Sequence, residues 1–394
     1  MSNVLFDLHL AQTTPYPLGI EIERGEGIYL FGPKNERYID FVSGIGVNNL
    51  GHGQPEILAA IHEQVDRHLH AMVYGEYIQR SQTQAAEILV SMLPEQLDCC
   101  YFVNSGAEAI EAAMKLVKRV TGRTEIVAFQ GAYHGNTHGA MSISYNEKKK
   151  SAFRPLLPDV TFIRLNHWDD LSLITTRTAG VFLETIQGDA GIRIPNPLFL
   201  KALRTRCTEQ GAMLVLDEIQ CGMGRTGKVF AFEHYDIVPD VIVLGKALGG
   251  GMPIGCLVGQ REMIAQLSFD PILGHISTFA GHPVACAAAA AALRIYRDSS
   301  IVEEAEGKGA WIEEQLIDHP LVKEIRRKGF YFAIDLENEQ VVQQVVEKCL
   351  SKGLITFWFL SCPWSFRIAP PLTIQQHELE ECVGILKWAM DTSC

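Results

Sequence analysis

The sequence predicts an α/β fold in which helices cover a large, mostly parallel sheet and a smaller α+β domain follows. One observation behind this prediction is that apolar runs of strand length alternate with longer segments of helical period. The other is the composition, because 394 residues with 47% hydrophobic and 20% charged residues suffice for two domains and a large core.

Five apolar runs carry the prediction of the large sheet, and each of them ends in polar or glycine residues. In chain order they occupy residues 101–103, 126–129, 180–183, 213–216 and 241–244. Ligands of open α/β sheets bind beyond the carboxyl ends of the strands. We therefore expect the five strand ends to converge on one pocket.

The remaining elements divide the chain into three parts. An amphipathic helix from Pro55 to about Leu69 opens the large domain, and two hairpin strands are expected before it, at residues 27–30 and 37–41. The small domain begins with an alanine-rich helix and contains a strand within residues 329–336. The amino-terminal segment is expected to pack with this small domain. The predicted limits are 1–49 for the amino-terminal segment, 50–285 for the large domain and 286–394 for the small domain.

Charge and terminal sequence narrow the class of protein. A formal net charge of −12 argues against nucleic-acid binding, and the three lysines at residues 148–150 are interpreted as a solvated loop. No basic leader precedes an apolar stretch, and no run approaches the roughly 18 apolar residues that span a bilayer. The ten cysteines are scattered without a Cys-x-x-Cys pair, so no metal site is predicted. A cytoplasmic protein without membrane association is the simplest expectation.

A capped helix is predicted directly after the first run. Ser105 and Glu108 have the spacing of a capping box, which by itself indicates a well-capped helix. A helix start beside Gly106 also offers free backbone amides and a positive dipole end to a phosphate. The local sequence leaves both interpretations open.

The acid Asp217 and the amine Lys246 stand at the ends of the fourth and fifth runs. Taken alone, such an acid is more often a helix cap, and such a lysine is more often a phosphate or solvent contact. Together they are the two protein groups that pyridoxal chemistry requires. The lysine forms a Schiff base, and the carboxylate keeps a pyridine nitrogen protonated. The pair therefore indicates a pyridoxal phosphate site.

A glycine pattern at residues 222–227 also matches G-x-G-x-x-G and suggests a dinucleotide-binding dehydrogenase as an alternative. That motif needs its first glycine at the strand end and a helix opened by the last. Here residues 217–220 intervene, no helical pattern follows, and Lys246 would have no role. We therefore prefer the pyridoxal phosphate interpretation.

Seven motifs in this chain resemble, in order, those of the class III aminotransferases, which include acetylornithine, ornithine and 4-aminobutyrate aminotransferases. They lie at residues 104–109, 133–135, 217–220, 224–227, 245–251, 277–281 and 367–372. The opening of the chain, at 37–41 and 51–55, is similar too. The resemblance covers nearly the whole chain and implies the fold-type I architecture of pyridoxal-phosphate-dependent transferases.

The resemblance also implies roles for individual residues. Lys246 would form the internal aldimine and then move the α-proton, while Asp217 would pair with the pyridine nitrogen. Thr278 would reach the phosphate of the neighbouring subunit, which implies a homodimer with shared active sites. The other cofactor contacts implied are Ser105, Gly106 and Ala107 at the phosphate, Tyr133 stacked on the ring, Gln220 near the ring hydroxyl, and His134 and Glu184.

Substrate residues follow from the same resemblance. Arg367 is expected to clamp a substrate α-carboxylate, its alternative being a structural ion pair. Asp189 stands where relatives carry a glutamate that can pair with this arginine, and it is one methylene shorter. Asn136 replaces an arginine that in many relatives is expected to bind the distal carboxylate of 2-oxoglutarate. Another cation must then supply that contact, or the acceptor is not a dicarboxylate. Ile45 is more similar to the residue found in the acetylornithine and 4-aminobutyrate branches. Arg154 and Arg164 are candidate substitutes for the missing arginine.

The function predicted from these residues is transfer of an amino group from an acetylornithine-like, ornithine-like or other ω-amino donor to a 2-oxo acid, 2-oxoglutarate or pyruvate. A class III racemase or epimerase, which reprotonates the same carbanion, is the alternative within the family. A non-catalytic binding protein is the alternative from another class, and it would leave Lys246 and Asp217 unexplained.

Overall fold

The structure, a computed structural model, describes residues 2–393, so Met1 and Cys394, the outer limits of the predicted segments, lie outside the described residues. The α-helices within residues 2–393 are α1 Ser2–His9, α2 Ser43–Gly46, α3 Pro55–Arg67, α4 Arg80–Ser91, α5 Gly106–Thr121, α6 His138–Ile143, α7 Glu147–Lys150, α8 Pro197–Gln210, α9 Arg261–Ile264, α10 Pro283–Asp298, α11 Ile301–Leu316, α12 Glu339–Ser351 and α13 Gln376–Asp391. The strands are β1 Arg24–Glu26, β2 Tyr29–Phe31, β3 Arg37–Asp40, β4 Cys99–Val103, β5 Glu125–Phe129, β6 Val160–Ile163, β7 Thr178–Glu184, β8 Met213–Asp217, β9 Val241–Gly245, β10 Gly255–Gly259, β11 Glu324–Lys328, β12 Tyr331–Asp335, β13 Leu354–Ile355, β14 Phe357–Trp358 and β15 Ser365–Ile368.

The large sheet has seven strands in the order β4-β10-β9-β8-β7-β5-β6. Its parallel pairs are β9-β8, β8-β7, β7-β5 and β5-β6, whereas β10 is antiparallel to both of its neighbours. The five predicted runs are β4, β5, β7, β8 and β9, and all five run in the same direction. The mostly parallel sheet is therefore confirmed. Every residue of β5, β7, β8 and β9 is buried, as expected for strands covered on both faces.

Two smaller four-stranded sheets complete the fold, in the orders β1-β2-β3-β13 and β11-β12-β15-β14. The predicted hairpin forms from β2 and β3, which pair antiparallel. Strand β13 adds to β3 in parallel register, with Leu354 opposite Ile39. The amino-terminal hairpin and a carboxyl-terminal strand thus share one sheet. The limits of the three predicted segments stay a prediction.

Helix α5 begins largely as its sequence indicates. The Ser105 hydroxyl accepts a hydrogen bond from the Glu108 amide at 3.2 Å, as the capping-box spacing predicts. The Glu108 carboxylate, however, accepts from the Asn104 amide at 2.8 Å and does not close the box on Ser105. The helix ends at Gly122, whose φ of 67° provides the left-handed cap that glycine favours.

Helix α10 contains the alanine-rich stretch, and it packs against α3 and α4 of the same chain. Its alanines at 288–292 are buried. Small side chains allow helices to approach closely, so this composition has a packing reason within one chain in addition to helix propensity. Among residues 2–393, no helix combines the length and the hydropathy needed to cross a membrane.

Candidate active site

A cavity of about 330 Å³ opens at the carboxyl ends of the predicted strands. The segments that follow β4 and β5 line it, as do the ends of β7, β8 and β9. Its lining residues are Gly106, Ala107, Tyr133, His134, Gly135, Asn136, Glu184, Ile186, Asp217, Ile219, Gln220, Cys221 and Lys246. All five predicted strand ends therefore meet at one pocket.

Asp217 is the last residue of β8 and is buried at this cavity. His134 Nδ1 lies 2.7 Å from Asp217 Oδ2, and the Ile219 amide donates to Oδ1 at 3.0 Å. His134 is itself held by Ser144, whose hydroxyl accepts from the His134 amide at 2.9 Å. Because two carboxylate oxygens offer about four acceptor positions, Asp217 retains capacity for a further donor on the cavity side.

Lys246 follows directly on β9, at the start of a short 3₁₀ turn. Its φ of 46° lies in the left-handed region, which non-glycine residues rarely adopt and which occurs at functional sites. Burial lowers the pKa of the Lys246 amine from 10.5 to about 8, while the negative charge of Asp217 opposes the fall. A larger share of the amine is therefore in the neutral, nucleophilic form.

The start of α5 supplies backbone donors to the same cavity. Gly106 and Ala107 are the first two helical residues, so their amides have no acceptor within the helix. A side chain at Gly106 would place its Cβ 2.7 Å from Ile219 Cδ1, so any larger residue would require Ile219 to move. Free amides at the positive end of a 16-residue helix suit a phosphate. Ser105 caps the helix and does not itself line the cavity.

Tyr133 and Glu184 are joined at the cavity wall. Glu184 Oε1 accepts from the Tyr133 amide and Oε2 accepts from the Gly188 amide, both at 2.9 Å. Burial raises the pKa of Glu184 to about 7, with the two amide bonds opposing the rise. The Tyr133 ring is 36% exposed and is thus available to a flat ligand. Glu184 therefore holds the backbone of the segment that carries Tyr133.

Tyr331 is a site residue that the sequence reasoning missed. It lies in β12, and its hydroxyl donates to Gln220 Oε1 at 2.8 Å, while Gln220 Nε2 donates to the Ile45 carbonyl at 3.4 Å. A Cβ added to Gly188 would lie 2.3 Å from the Tyr331 hydroxyl oxygen, so the backbone at Gly188 passes close to the hydrogen bond between Tyr331 and Gln220. No local pattern marks Tyr331, because β12 is more than 100 residues from Gln220. Four residues that line the cavity were also not predicted as site residues: Gly135, Ile186, Ile219 and Cys221.

Ile45 belongs to a strained turn. The whole of α2 has left-handed dihedrals, and Ile45 has φ 64° and ψ 48°, an outlier for a β-branched residue. The Asp40 carboxylate accepts from the Gly44 amide at 3.2 Å, and the Ser43 hydroxyl donates to the Ala369 carbonyl at 2.7 Å. These bonds hold the turn, which presents the Ile45 carbonyl to Gln220.

Arg367 lies in β15 and is buried. Its guanidinium Nη2 is 3.7 Å from Asp189 Oδ1, so the shorter acid does reach ion-pair distance. Within residues 2–393, Arg367 Nε has no hydrogen-bond partner. Burial lowers the pKa of Arg367, although nearby Tyr331 and Asp189 oppose this. A buried guanidinium with an unused donor is suited to a carboxylate ligand.

The interpretation of the three lysines as a solvated loop is wrong, because all three lie in the short helix α7 and two of them are not exposed. Lys149 Nζ lies 2.8 Å from Asp189 Oδ2, and Lys150 Nζ is buried and donates to the Ser144 carbonyl at 2.7 Å. The composition of the sequence alone did not indicate this helix. Only Lys148 is exposed.

Four other predicted residues have different settings. Asn136 lines the cavity and is exposed, whereas Thr278 is exposed and does not line the cavity of its own chain. Arg154 is bonded to Glu147 and Arg164 to Asp170, and neither arginine lines the cavity. The role of Thr278 toward a neighbouring subunit stays a prediction.

The family model for aminotransferase class-III matches residues 11–390 of the chain. Acetylornithine aminotransferase of Methanopyrus kandleri is 36% identical over 387 residues, which cover 98% of this chain and 97% of that protein. The chain belongs to the class-III aminotransferases. A second member of the family, the LysW-aminoadipate semialdehyde/glutamate semialdehyde transaminase of Sulfolobus acidocaldarius, is 36% identical over 373 residues, 94% of each chain.

The fold of this class-III aminotransferase is shared with ornithine aminotransferase from Toxoplasma gondii. The TM-score is 0.91 at 27% identity, and the match covers 98% of this chain and 92% of that one. That structure holds pyridoxal phosphate at partial occupancy in its active site. The present protein is accordingly a transferase whose cofactor is pyridoxal phosphate. The residues of the cavity fit it, because they combine an amine, a buried carboxylate and a helix start.

Family membership also decides among the alternatives. The relatives named above are transaminases, so they give no support to a racemase, and a non-catalytic protein is excluded.

The glycines at 222–227 are followed only by a short 3₁₀ helix, Ala231–His234, and not by the helix that a dinucleotide motif requires.

Proposed function

We propose that this enzyme transfers an amino group from an acetylornithine-like, ornithine-like or other ω-amino donor to a 2-oxo acid, 2-oxoglutarate or pyruvate. The observation that carries the proposal is the placement of Lys246 and Asp217 in one cavity with the free start of α5. The names of the relatives support the donor class, since one is an acetylornithine aminotransferase and another acts on semialdehyde substrates.

In this proposal Lys246 is the covalent anchor of the cofactor and afterwards the proton carrier. When bound, pyridoxal phosphate supplies an electron sink for the bond that breaks at the substrate carbon. The lowered pKa of Lys246 suits a group that must release and accept a proton near neutral pH. Asp217, held by His134 and the Ile219 amide, is oriented to keep the pyridine nitrogen protonated. Gly106 and Ala107 offer their amides to the phosphate.

Arg367 is proposed to bind the substrate carboxylate next to the reacting carbon. Its Nε is buried without a partner, and its ion pair with Asp189 is longer than a good hydrogen bond. A planar guanidinium with unused donors can exchange this loose partner for a bidentate carboxylate. Asp189 would then balance the charge of the arginine when no substrate is present.

A homodimer with shared active sites is part of the proposal. Thr278 is exposed and is not among the residues that line the cavity of its own chain, as expected for a residue that serves a neighbour. Large apolar side chains are exposed around it and on a second segment. They are Leu69, Met72, Tyr77, Ile78, Phe269, Ile272, Leu273, Ile276 and Phe279. The cytoplasmic location expected from the sequence is also part of this proposal.

The test is the visible spectrum of the purified holoenzyme during addition of single amino donors without an acceptor. We would add N-acetylornithine, ornithine, 4-aminobutyrate, lysine and alanine in turn. A donor that converts the absorption of the lysine-bound cofactor to that of the amine form is a substrate, and a 2-oxo acid should then reverse the change. If none of the five donors changes the spectrum, the proposed donor class is wrong. Lys246→Ala should lose the absorption of the lysine-bound cofactor, with Lys148→Ala as the matched control.

A further inference from the structure

Asp189 lies between two cations at the active site. Lys149 Nζ is 2.8 Å from Asp189 Oδ2, and Arg367 Nη2 is 3.7 Å from Asp189 Oδ1. Ser361 also donates to Oδ2 at 2.6 Å. One carboxylate therefore separates two positive groups, of which only the arginine was expected from the sequence.

A dicarboxylic 2-oxo acid presents two carboxylates, and the proposed clamp at Arg367 accounts for one. Asn136 cannot supply a charge to the other. Arg154 and Arg164 are about half exposed, and each is bonded to a neighbouring acid, Glu147 or Asp170. Neither of them lines the cavity. If the acceptor is a dicarboxylate, another cation close to the cavity wall must bind its second carboxylate.

Lys149 does not line the cavity itself, but it lies next to a residue that does. Its ammonium lies 5.4 Å from the centre of the Tyr133 ring, and that ring lines the cavity. An ammonium has three donors, and one hydrogen bond of Lys149, to Asp189, is found within residues 2–393. Lys149 is thus able to bind a second carboxylate without leaving the first.

The helix that carries Lys149 is fixed on both sides. The Asn146 side chain caps it by accepting from the Lys148 amide at 3.1 Å, and it also donates to Ser361 at 2.9 Å. Lys150 is buried, with its ammonium 4.6 Å from the centre of the Phe162 ring. A side chain on such a support is preorganised, which reduces the entropy lost when it binds a ligand.

We propose that Lys149 binds the distal carboxylate of a dicarboxylic substrate, and so replaces the arginine that is missing at Asn136. The inference rests on the proposed function, because it names the acceptor of that same site. It makes Lys149 the residue that selects 2-oxoglutarate, or a substrate of like charge, over pyruvate.

The test compares Lys149→Met with two other variants of the holoenzyme. Lys148→Met removes the same charge from the exposed neighbour, and Lys149→Arg keeps the charge. We would measure kcat/KM for 2-oxoglutarate and for pyruvate with a single donor, and the Kd of glutarate and of butyrate by calorimetry. Glutarate carries both carboxylates and butyrate carries one, and neither reacts.

Lys149→Met should weaken 2-oxoglutarate turnover and glutarate binding by about tenfold or more, as expected for loss of a charge-assisted hydrogen bond. Pyruvate and butyrate should change by less than about twofold, Lys148→Met should resemble the wild type, and Lys149→Arg should recover most of the loss. Equal losses for the mono- and dicarboxylates would show that Lys149 only positions Asp189, and would overturn the inference. Unchanged glutarate binding would overturn it too.

Failure of the inference and failure of the proposed function give different results. A wild-type enzyme that uses pyruvate but neither turns over 2-oxoglutarate nor binds glutarate more tightly than butyrate would refute the role of Lys149 and leave the transamination intact. If no donor is converted with any 2-oxo acid, the proposed function fails. Glutarate binding to the wild type and to Lys149→Met then still decides the role of Lys149.

Discussion

The lowered pKa of Lys246 gives a prediction that can be measured on the cofactor-free protein. Burial is the main cause of the shift, the charge of Asp217 acts against it, and the charge of Arg367 adds to it. Two substitutions should therefore move the pKa in opposite directions. Asp217→Asn removes the negative charge and should lower the pKa of Lys246 further, whereas Arg367→Gln removes a positive charge and should raise it.

The size of the effect follows from the two pKa values. An amine with a pKa of 10.5 is about 0.03% neutral at pH 7, whereas one with a pKa of about 8 is about 9% neutral. The Lys246 amine should therefore contain roughly 300 times more of its nucleophilic form than an ordinary lysine at that pH.

The assay is trace acetylation with acetic anhydride across about pH 6 to 11, followed by mass spectrometry of the peptides that carry each lysine. Lys148 is the internal reference, because it is exposed and lies in the same chain. The labelling of Lys246 should reach its half-maximum near pH 8, well below the pKa of 10.5 of an ordinary lysine. The two substitutions should shift only the Lys246 curve.

A half-maximum of the Lys246 curve near pH 10.5 would refute the argument that burial outweighs the charge of Asp217. A curve that moves upward in Asp217→Asn would refute the assigned sign of their interaction. Labelling that is absent at every pH would show that the amine is shielded from the cavity, contrary to its place among the lining residues.

Three further predictions concern the packing around the site and a distant helix. Tyr331→Phe removes a buried hydrogen bond and should lower the free energy of unfolding, measured in urea, by about 1 kcal/mol. The control Tyr235→Phe removes a buried hydroxyl that has no partner in residues 2–393, and it should leave the free energy of unfolding unchanged. Equal losses in the two variants would contradict this prediction. Gly106→Ala places a methyl group 2.7 Å from Ile219 Cδ1, and it should raise the Kd of pyridoxal phosphate about fivefold or more in an absorbance titration. An unchanged Kd would show that Ile219 moves to make room for the methyl group. Gly384→Ala, in the exposed middle of α13 with open space at its Cβ, should raise the free energy of unfolding by about 0.5–1 kcal/mol, and a lower urea midpoint would disprove it.

Much of the catalytic centre was predictable because its signals are local. Asp217 and Lys246 each end a run of buried strand residues, and Ser105 caps a helix at the expected spacing. In a parallel sheet all such ends lie at one edge, so their convergence follows from the fold class. The substrate side was less predictable, because Lys149 has no periodic pattern that would separate it from a solvated lysine.

The sequence by itself determined the class of sheet, the edge at which the chemistry takes place, and the acid and amine that end two strands. Only the tertiary structure showed what the adjacent acid does. Asp217 bonds His134, while Glu218 turns away to accept from the amides of Ala231 and Phe232 at 2.6 Å. The structure likewise brought Tyr331 to Gln220 and Lys149 to Asp189. The physical reason is the separation along the chain of the residues that make contact. Strand periodicity and helix capping depend on neighbours in the chain, whereas these contacts join elements that meet only when the whole sheet has assembled.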